Sequence, residues 1–348
     1  MSSSSAIHIA GWGAVSPAGW TAADLAQAVL DRRDLPATLD LRHPDAPPIP
    51  CCRVPAPKIL PAWLRQPRLR RTSPITRFAV SAALEALQCD PTSPEQSADT
   101  ALGILFAVQN GSVKFSGRFF SEVLDNPLLA SPILFPETVF NAPSSHLSSL
   151  LTAPLLNNTL VSDAGGFLTA LDMAAQWLDE GRVTDCLIVS AEEEDWLSAE
   201  ALALVPGQKI AAEGAAALWL RQTETRALSS GQIRLEQITE AAAITRLRTR
   251  TEAIQHMRSE LAAPDSATLI SAVSGSSSWD QPHLEAFADW TGPRFSLQPQ
   301  FGHPFSILGG WQSVLACELL QRGTCPSAVI PADTGATQAL AAWFHRVS

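Results

Sequence analysis

No stretch of 18 or more uninterrupted apolar residues occurs in the 348-residue chain, which argues against a membrane-spanning helix. The first ten residues, MSSSSAIHIA, lack a basic segment followed by an apolar core. No secretory signal is therefore expected, and cytoplasm is the default location. Cysteine is sparse: Cys51, Cys52, Cys89, Cys186, Cys317 and Cys325 are scattered, the adjacent pair is not a CxxC motif, and no cluster has zinc-ligand spacing. Reduced thiols packed as small apolar side chains are expected, with no metal site. Positive charge is also in deficit, since 24 Lys and Arg face 34 Asp and Glu for a formal charge of −10. That balance argues against a nucleic-acid partner. A local basic patch stays open, because Arg65, Arg68, Arg70, Arg71 and Arg77 fall close together.

What is present is an alternation of short apolar runs with helical periodicity. Ile7–Ser16 reads as a buried strand, and Thr21 opens a helix in which Leu25, Ala28 and Val29 share a face. Residues 35–64 are rich in proline and read as a long surface loop. A helix over Ile75–Gln88 and a strand over Leu102–Val108 follow. Asn126–Leu151 joins proline-broken coil to a helix near Ala142; it is too apolar for a solvated linker and should pack somewhere, a subunit interface being one candidate. After the junction SDAGG, the positions Leu168, Leu171, Ala175 and Leu178 give a helix stopped at Gly181, then strands at Asp185–Ala191 and Ala215–Leu220. From about Ala227 a similar order begins again, with a helix after Gly302 that Gly323 terminates. The pattern implies layered α/β architecture with an internal duplication.

The segments IAGWGAVSPAG, SPILFPETVFNA, SDAGGFLTALDMAAQWLDEGRVTDCLIVSAEE, EGAAALWL and QFGHPFSILGGWQSVLACELLQRGTCP stand in an order that resembles the β-ketoacyl synthases of the thiolase fold, over almost the whole chain. The resemblance implies a duplicated αβαβα architecture with mixed sheets, an N-terminal half over 1–226, a C-terminal half over 227–348, and no cofactor. In working relatives the tight junction before a helix carries a nucleophilic cysteine, whose acyl transfer is assisted by helix-end N–H groups. Here Asp163 stands at that position. The HGT-type histidine position is Ser274, in SGSSSWDQPHLE, with Glu285 at its acidic end and His283 nine residues downstream of the substituted position. The KSxxGH pattern has Gln298 for lysine and Pro299 for serine, and retains His303. In ADTGATQA, which resembles the glycine-rich GFGGTNA region, Thr334 replaces the gating phenylalanine, while Gly335, Thr337 and Gln338 keep its small and polar character.

These departures remove the nucleophile, one histidine and the lysine from one reaction, so the resemblance implies a chain-length-factor-like subunit without condensing activity of its own. Such a subunit forms a heterodimer with a catalytic ketosynthase and shapes the tunnel of an acyl chain borne by an acyl carrier protein, in type II polyketide or, more narrowly, bacterial aryl polyene synthesis. Relatives with this role often carry Gln at the lost cysteine; Asp163 departs from that. Phe135 and Phe140 are candidate tunnel or interface residues, and Arg65, Arg68, Arg70 and Arg71 candidate carrier contacts. Two other readings stay open: an atypical acyltransferase or decarboxylase using Asp163, Glu285 and His303, and a purely structural or regulatory ketosynthase-binding protein. The acidic run Glu192, Glu193, Glu194 and Asp195 reads as a solvated loop or a scaffold contact.

Overall fold

The computed structural model describes the chain except residues 1–4, 41–46, 59–60, 62, 64–65, 68, 89–100, 152–154, 206, 208–209, 225–226 and 334. In chain order the strands are β1 (Ser5–Val15), β2 (Thr38–Asp40), β3 (Ile49–Cys52), β4 (Leu102–Val108), β5 (Leu156–Val161), β6 (Asp185–Glu192), β7 (Ala211–Ala212), β8 (Gly214–Glu224), β9 (Ile233–Ile238), β10 (Ala242–Ala243), β11 (Thr268–Ser271), β12 (Arg294–Ser296), β13 (Ser327–Ala332) and β14 (Gln338–Arg346). The helices are α1 (Ala22–Leu30), α2 (Pro74–Leu87), α3 (Val113–Asp125), α4 (Ala142–Leu150), α5 (Gly166–Asp179), α6 (Trp196–Ala203), α7 (Arg250–Glu260), α8 (Ser277–Ala286), α9 (Gln298–Phe301) and α10 (Leu308–Gln321).

One hydrogen-bonded path runs β12-β11-β13-β14-β9-β1-β8-β6-β4-β5. Its two ends repeat one another. In the first, β1–β8 and β8–β6 are antiparallel while β6–β4 and β4–β5 are parallel. In the second, β9–β14 and β14–β13 are antiparallel while β13–β11 and β11–β12 are parallel. β1 and β9 join the copies.

The central strands β4, β6, β11 and β13 are buried along both faces, and their alternation sorts side chains into separate cores. Leu105 and Ala107 of β4 join the central core with α1, α5 and α10, whereas Ile104, Phe106 and Val108 face the outer core under α2 and α4. On the other sheet Ala328 and Ile330 of β13 face the central core, and Val329 faces a third core formed with α7 and α8. The result is the expected duplicated αβαβα stack of mixed sheets, with α5 and α10 in the middle layer.

Several local expectations change. The proline-rich stretch 35–64 is not all loop, since β2 pairs with β3, and β3 pairs in parallel with β7 through Cys51↔Ala211 and Cys52↔Ala212. Two helices, α3 and α6, stand in segments where no helix was expected. The SGSSSWDQPHLE segment is loop only to Ser276 and then becomes α8, which carries Pro282 inside it. Asn126–Leu151 packs only in part within this chain: Leu134, Ala142 and Leu147 are buried, whereas Leu128 is 92% and Leu129 78% exposed. Among the described residues every cysteine is free and buried, no group of His, Cys, Asp and Glu has metal-binding geometry, and no helix is long and apolar enough to cross a membrane.

Candidate functional site

Asp163 lies in the turn between edge strand β5 and central helix α5, where unpaired helix-start N–H groups favour an acceptor. Its carboxylate is already engaged at both oxygens: Oδ1 accepts the Gly165 N–H at 2.9 Å, and Oδ2 accepts the Thr337 N–H at 2.6 Å. The side chain thus closes a local turn and ties the start of α5 to the 335–337 loop. That loop passes close to His303. Gly335 has φ +76, which favours glycine, and a Cβ there would lie a tight 3.3 Å from His303 Cε1 and in ordinary contact, 3.7 Å, with the Ala164 Cβ.

His303 is buried, with its backbone hydrogen-bonded to Ile210 and Ala212. Its Nδ1 meets Gln298 Oε1 at 3.2 Å, and Gln298 Nε2 donates to the Ala272 carbonyl at 2.8 Å. The amide orientation makes Nδ1 the donor, so in the neutral ring Nε2 is the acceptor nitrogen. Ser274 lines the same 220 Å³ cavity as Gln298 and His303. Its hydroxyl and amide both donate to Asp280, at 3.0 and 2.9 Å. Four substituted or retained positions of the sequence reading therefore share one neighbourhood, each committed to an internal partner. Thr334, the remaining position, lies outside the described residues.

The cavity also contains Cys52, which the sequence reading did not place there. Burial, followed by the nearby Glu194 carboxylate, pushes its thiol pKa up, so it stands as a thiol and is a poor substitute nucleophile. His283 is fully buried, with Nδ1 at 2.6 Å from Asp333 Oδ2 and Nε2 at 2.9 Å from Ser271 Oγ. The connectivity matches an acyl-transfer relay. Its ring, however, stacks against Phe287 at a centroid distance of 4.8 Å, and the relay is sealed in the core as a tie between β11, α8 and β13. Glu285 is exposed and bonded to Gln281, away from this cavity, because it lies on the outward face of α8.

The acidic run is corrected in the opposite direction. Glu192, Glu193 and Glu194 are fully buried, which excludes a solvated loop, and only Asp195 behaves as a helix-start residue, capping α6. Glu192 accepts N–H groups from Gln109 and Asn110 and the Ser306 hydroxyl. Glu193 accepts from Ile75 and Lys114. Burial dominates their acidities, pushing Glu192 and Glu193 up to about 7 and Glu194 up to about 9.

A second, larger cavity of 830 Å³ opens beside α3, lined by Phe119, Phe120 and Val123 and, from the other wall, by Trp196 and Leu197. Phe135 leans on Phe119 at 5.6 Å between ring centroids. Phe140 covers Gly111, whose φ is +73 and where a Cβ would come within 2.9 Å of the ring. Both phenylalanines are exposed at their outer faces. Sequence reasoning found these two but missed α3, although Phe119, Phe120, Val123 and Leu124 have helical spacing. Arg70 and Arg71 are exposed, while Arg65 and Arg68 lie outside the described residues.

No family model matches the chain, and no curated protein matches it in sequence. Solved structures do match in three dimensions. A structure described as the ishigamide ketosynthase/chain length factor superposes with a TM-score of 0.81 at 18% identity, over 99% of this chain and 100% of that one. A type II polyketide acyl-carrier protein in complex with its ketosynthase bound to the hexaketide contains a chain that matches at 0.78 and 17%, over 98% and 99%. A β-ketoacyl synthase from Burkholderia phymatum STM815 matches at 0.78 and 17%, over 99% and 100%. With the repeated sheet order and the central α5 and α10 already established, these whole-length likenesses give the chain its fold, that of the thiolase-like ketosynthases.

Proposed function

We propose that the chain is a non-condensing, chain-length-factor-like subunit that pairs with a catalytic ketosynthase and helps enclose the acyl chain carried by an acyl carrier protein. The observation that carries this reading is the Asp163 carboxylate, whose two oxygens are held by the amides of Gly165 and Thr337, at the position the sequence resemblance assigns to the nucleophile. Such a group does not store an acyl chain as a thioester, and it occupies the Gly165 N–H at the start of α5. The exposed side of the molecule fits pairing. β5 ends the sheet path, and Phe120, Leu124, Leu128, Leu129 and Ile133 are exposed on α3 and the turns after it, apolar side chains that suit a second ketosynthase-like chain. The groove beside α3 would then supply part of the tunnel, with Phe135 and Phe140 at its margin, in a type II polyketide or aryl polyene system.

The reading of an acyltransferase or decarboxylase built on Asp163, Glu285 and His303 loses support, because Glu285 faces solvent and is bonded to Gln281. The deciding experiment is reconstitution with the ketosynthase that copurifies from the native cell, its carrier protein and extender units. A stable pair whose product lengths change when Phe135→Ala or Phe140→Ala is introduced supports the proposal. Product distribution and turnover unaffected by omitting this chain would refute it. Asp163→Cys should not restore condensation in the isolated chain, since Ser274 and Gln298 remain; robust turnover by that purified variant would equally overturn the reading.

A further inference from the structure

α3 is attached to the molecule in an unusual way. None of its side chains is fully buried, and Val113, Phe115, Phe119 and Val123 are only half-buried, so hydrophobic packing within this chain holds it weakly. Its start is held instead by carboxylates at the end of β6. Glu192 receives the N–H groups of Gln109 and Asn110, in the turn that leads into α3. Glu193 receives the Lys114 N–H, in the first turn of α3, at 2.9 Å and the Ile75 N–H, in the first turn of α2, at 3.1 Å. Lys114 adds an ion pair of 3.7 Å to Glu213, and Ser73 Oγ meets Ser112 Oγ at 3.2 Å. On its other side Glu192 is bonded to Ser306, three residues beyond His303.

Resting on the reading of the α3 groove as an acyl surface, we propose that Glu192 and Glu193 are positioning residues: they set where α3 stands against α2 and β6, and thereby the width of the groove an acyl chain would occupy. Completely buried carboxylates are expensive to desolvate, and apolar residues would pack the end of β6 at lower cost. What a carboxylate supplies and an apolar side chain does not is two acceptors with fixed directions. Glu193 uses one for each helix start and so fixes α3 relative to α2. Glu192 uses its own to fix the turn before α3 relative to the loop that carries Ser306.

Hydrogen exchange on the isolated full chain tests this without any partner. Glu193→Gln keeps the size of the side chain but turns an N–H donor toward one of the two backbone N–H groups. Amides in 113–125 should exchange about tenfold faster, while those in 308–321 keep their wild-type rates. Glu194→Gln, whose carboxylate meets Ser198 and not α3, should leave 113–125 unchanged. If Glu193→Gln does not fold, Glu193→Asp decides, because it keeps the charge but is too short to reach both donors. Acceleration confined to 113–125 supports the proposal; unchanged exchange there, or equal acceleration in both segments, overturns it. In the reconstituted pair the same substitutions should shift product lengths. Local acceleration without that shift leaves the positioning role standing and removes its link to acyl chains.

Discussion

The duplicated fold places two crossovers in equivalent positions, one from β4 to β5 and one from β11 to β12, and the chain treats them in opposite ways. In the second crossover α8 packs on α7, with His283 and Phe287 fully buried and the Ser271–His283–Asp333 relay locked between three elements. In the first, α4 packs on α2 as α8 does on α7, but the additional helix α3 and the turns after it expose Phe120, Leu124, Leu128, Leu129 and Ile133. The same supersecondary unit thus serves as core in one half and as an apolar surface in the other. Burial within the chain explains the residues of the second crossover. It explains Leu134 and Leu147 of the first but not the exposed residues of α3 and the turns after it, which gain little from folding and fit contact with something outside the chain.

The contrast breaks most visibly at Phe287. Phe287→Ala removes a fully buried ring that touches His283 and Trp290 and should cost about 3–5 kcal/mol in chemical denaturation. A loss under about 1 kcal/mol would mean that the second crossover is not the rigid one.

Asp163 joins the halves, since its carboxylate connects the start of α5 to the loop before β14. Asp163→Ala should cost about 1–3 kcal/mol, because two backbone N–H groups lose a charged acceptor. Asp163→Asn keeps one acceptor and should cost less. Equal stability of the wild type and the Ala variant would show that the junction holds without the carboxylate.

The buried glutamates give the first half a pH dependence of definite sign. Their folded pKa values, about 7 for Glu192 and Glu193 and about 9 for Glu194, lie above the ordinary 4.5, so the native state keeps protons that the unfolded chain has released. Their stabilising contribution is complete below about pH 4.5 and is lost as pH rises through 7 and then 9. Thermal stability should fall from about pH 4.5 to 9, most steeply below about pH 7, where all three groups contribute, and above 7 through Glu194 alone. Glu194→Gln resembles the protonated acid and should flatten the upper part of that fall by on the order of 1 kcal/mol, or about 2 °C in a chain of this size. An identical slope in the variant would assign the alkaline loss to other groups.

The layers and the duplication were legible because apolar runs and glycine-stopped helices are local signals. The shared cavity of Ser274, Gln298 and His303 was legible only through ordered motifs, since residues so far apart in the chain carry no local sign of meeting. The buried state of Glu192–Glu194 was hidden for the opposite reason: three consecutive carboxylates look solvated until the donors from Gln109, Asn110, Lys114, Ile75 and Ser306 are brought to them by the fold. α3 was legible in principle, because Phe115, Phe119, Phe120 and Val123 recur at helical spacing, but no residue of it is fully buried within this chain.

The smallest effect on stability should come from Phe120→Ala, and it is the most informative. Phe120 stands on α3, 63% exposed, at the wall of the groove, so its removal should change the stability of the isolated chain by no more than about 0.5 kcal/mol. In a ketosynthase pair the same ring would lie at an aromatic-rich contact, where truncation of a central side chain costs about 2 kcal/mol or more of binding. The measurement is therefore double: denaturant unfolding of the chain alone, and affinity and product length for the pair. A variant as unstable as Phe287→Ala would mean that α3 belongs to the core after all, and the contrast between the crossovers would disappear. Unchanged stability together with unchanged pairing and product length would leave the contrast in place but remove the partner chain from its explanation, because the exposed ring would then contact neither the second subunit nor the acyl chain.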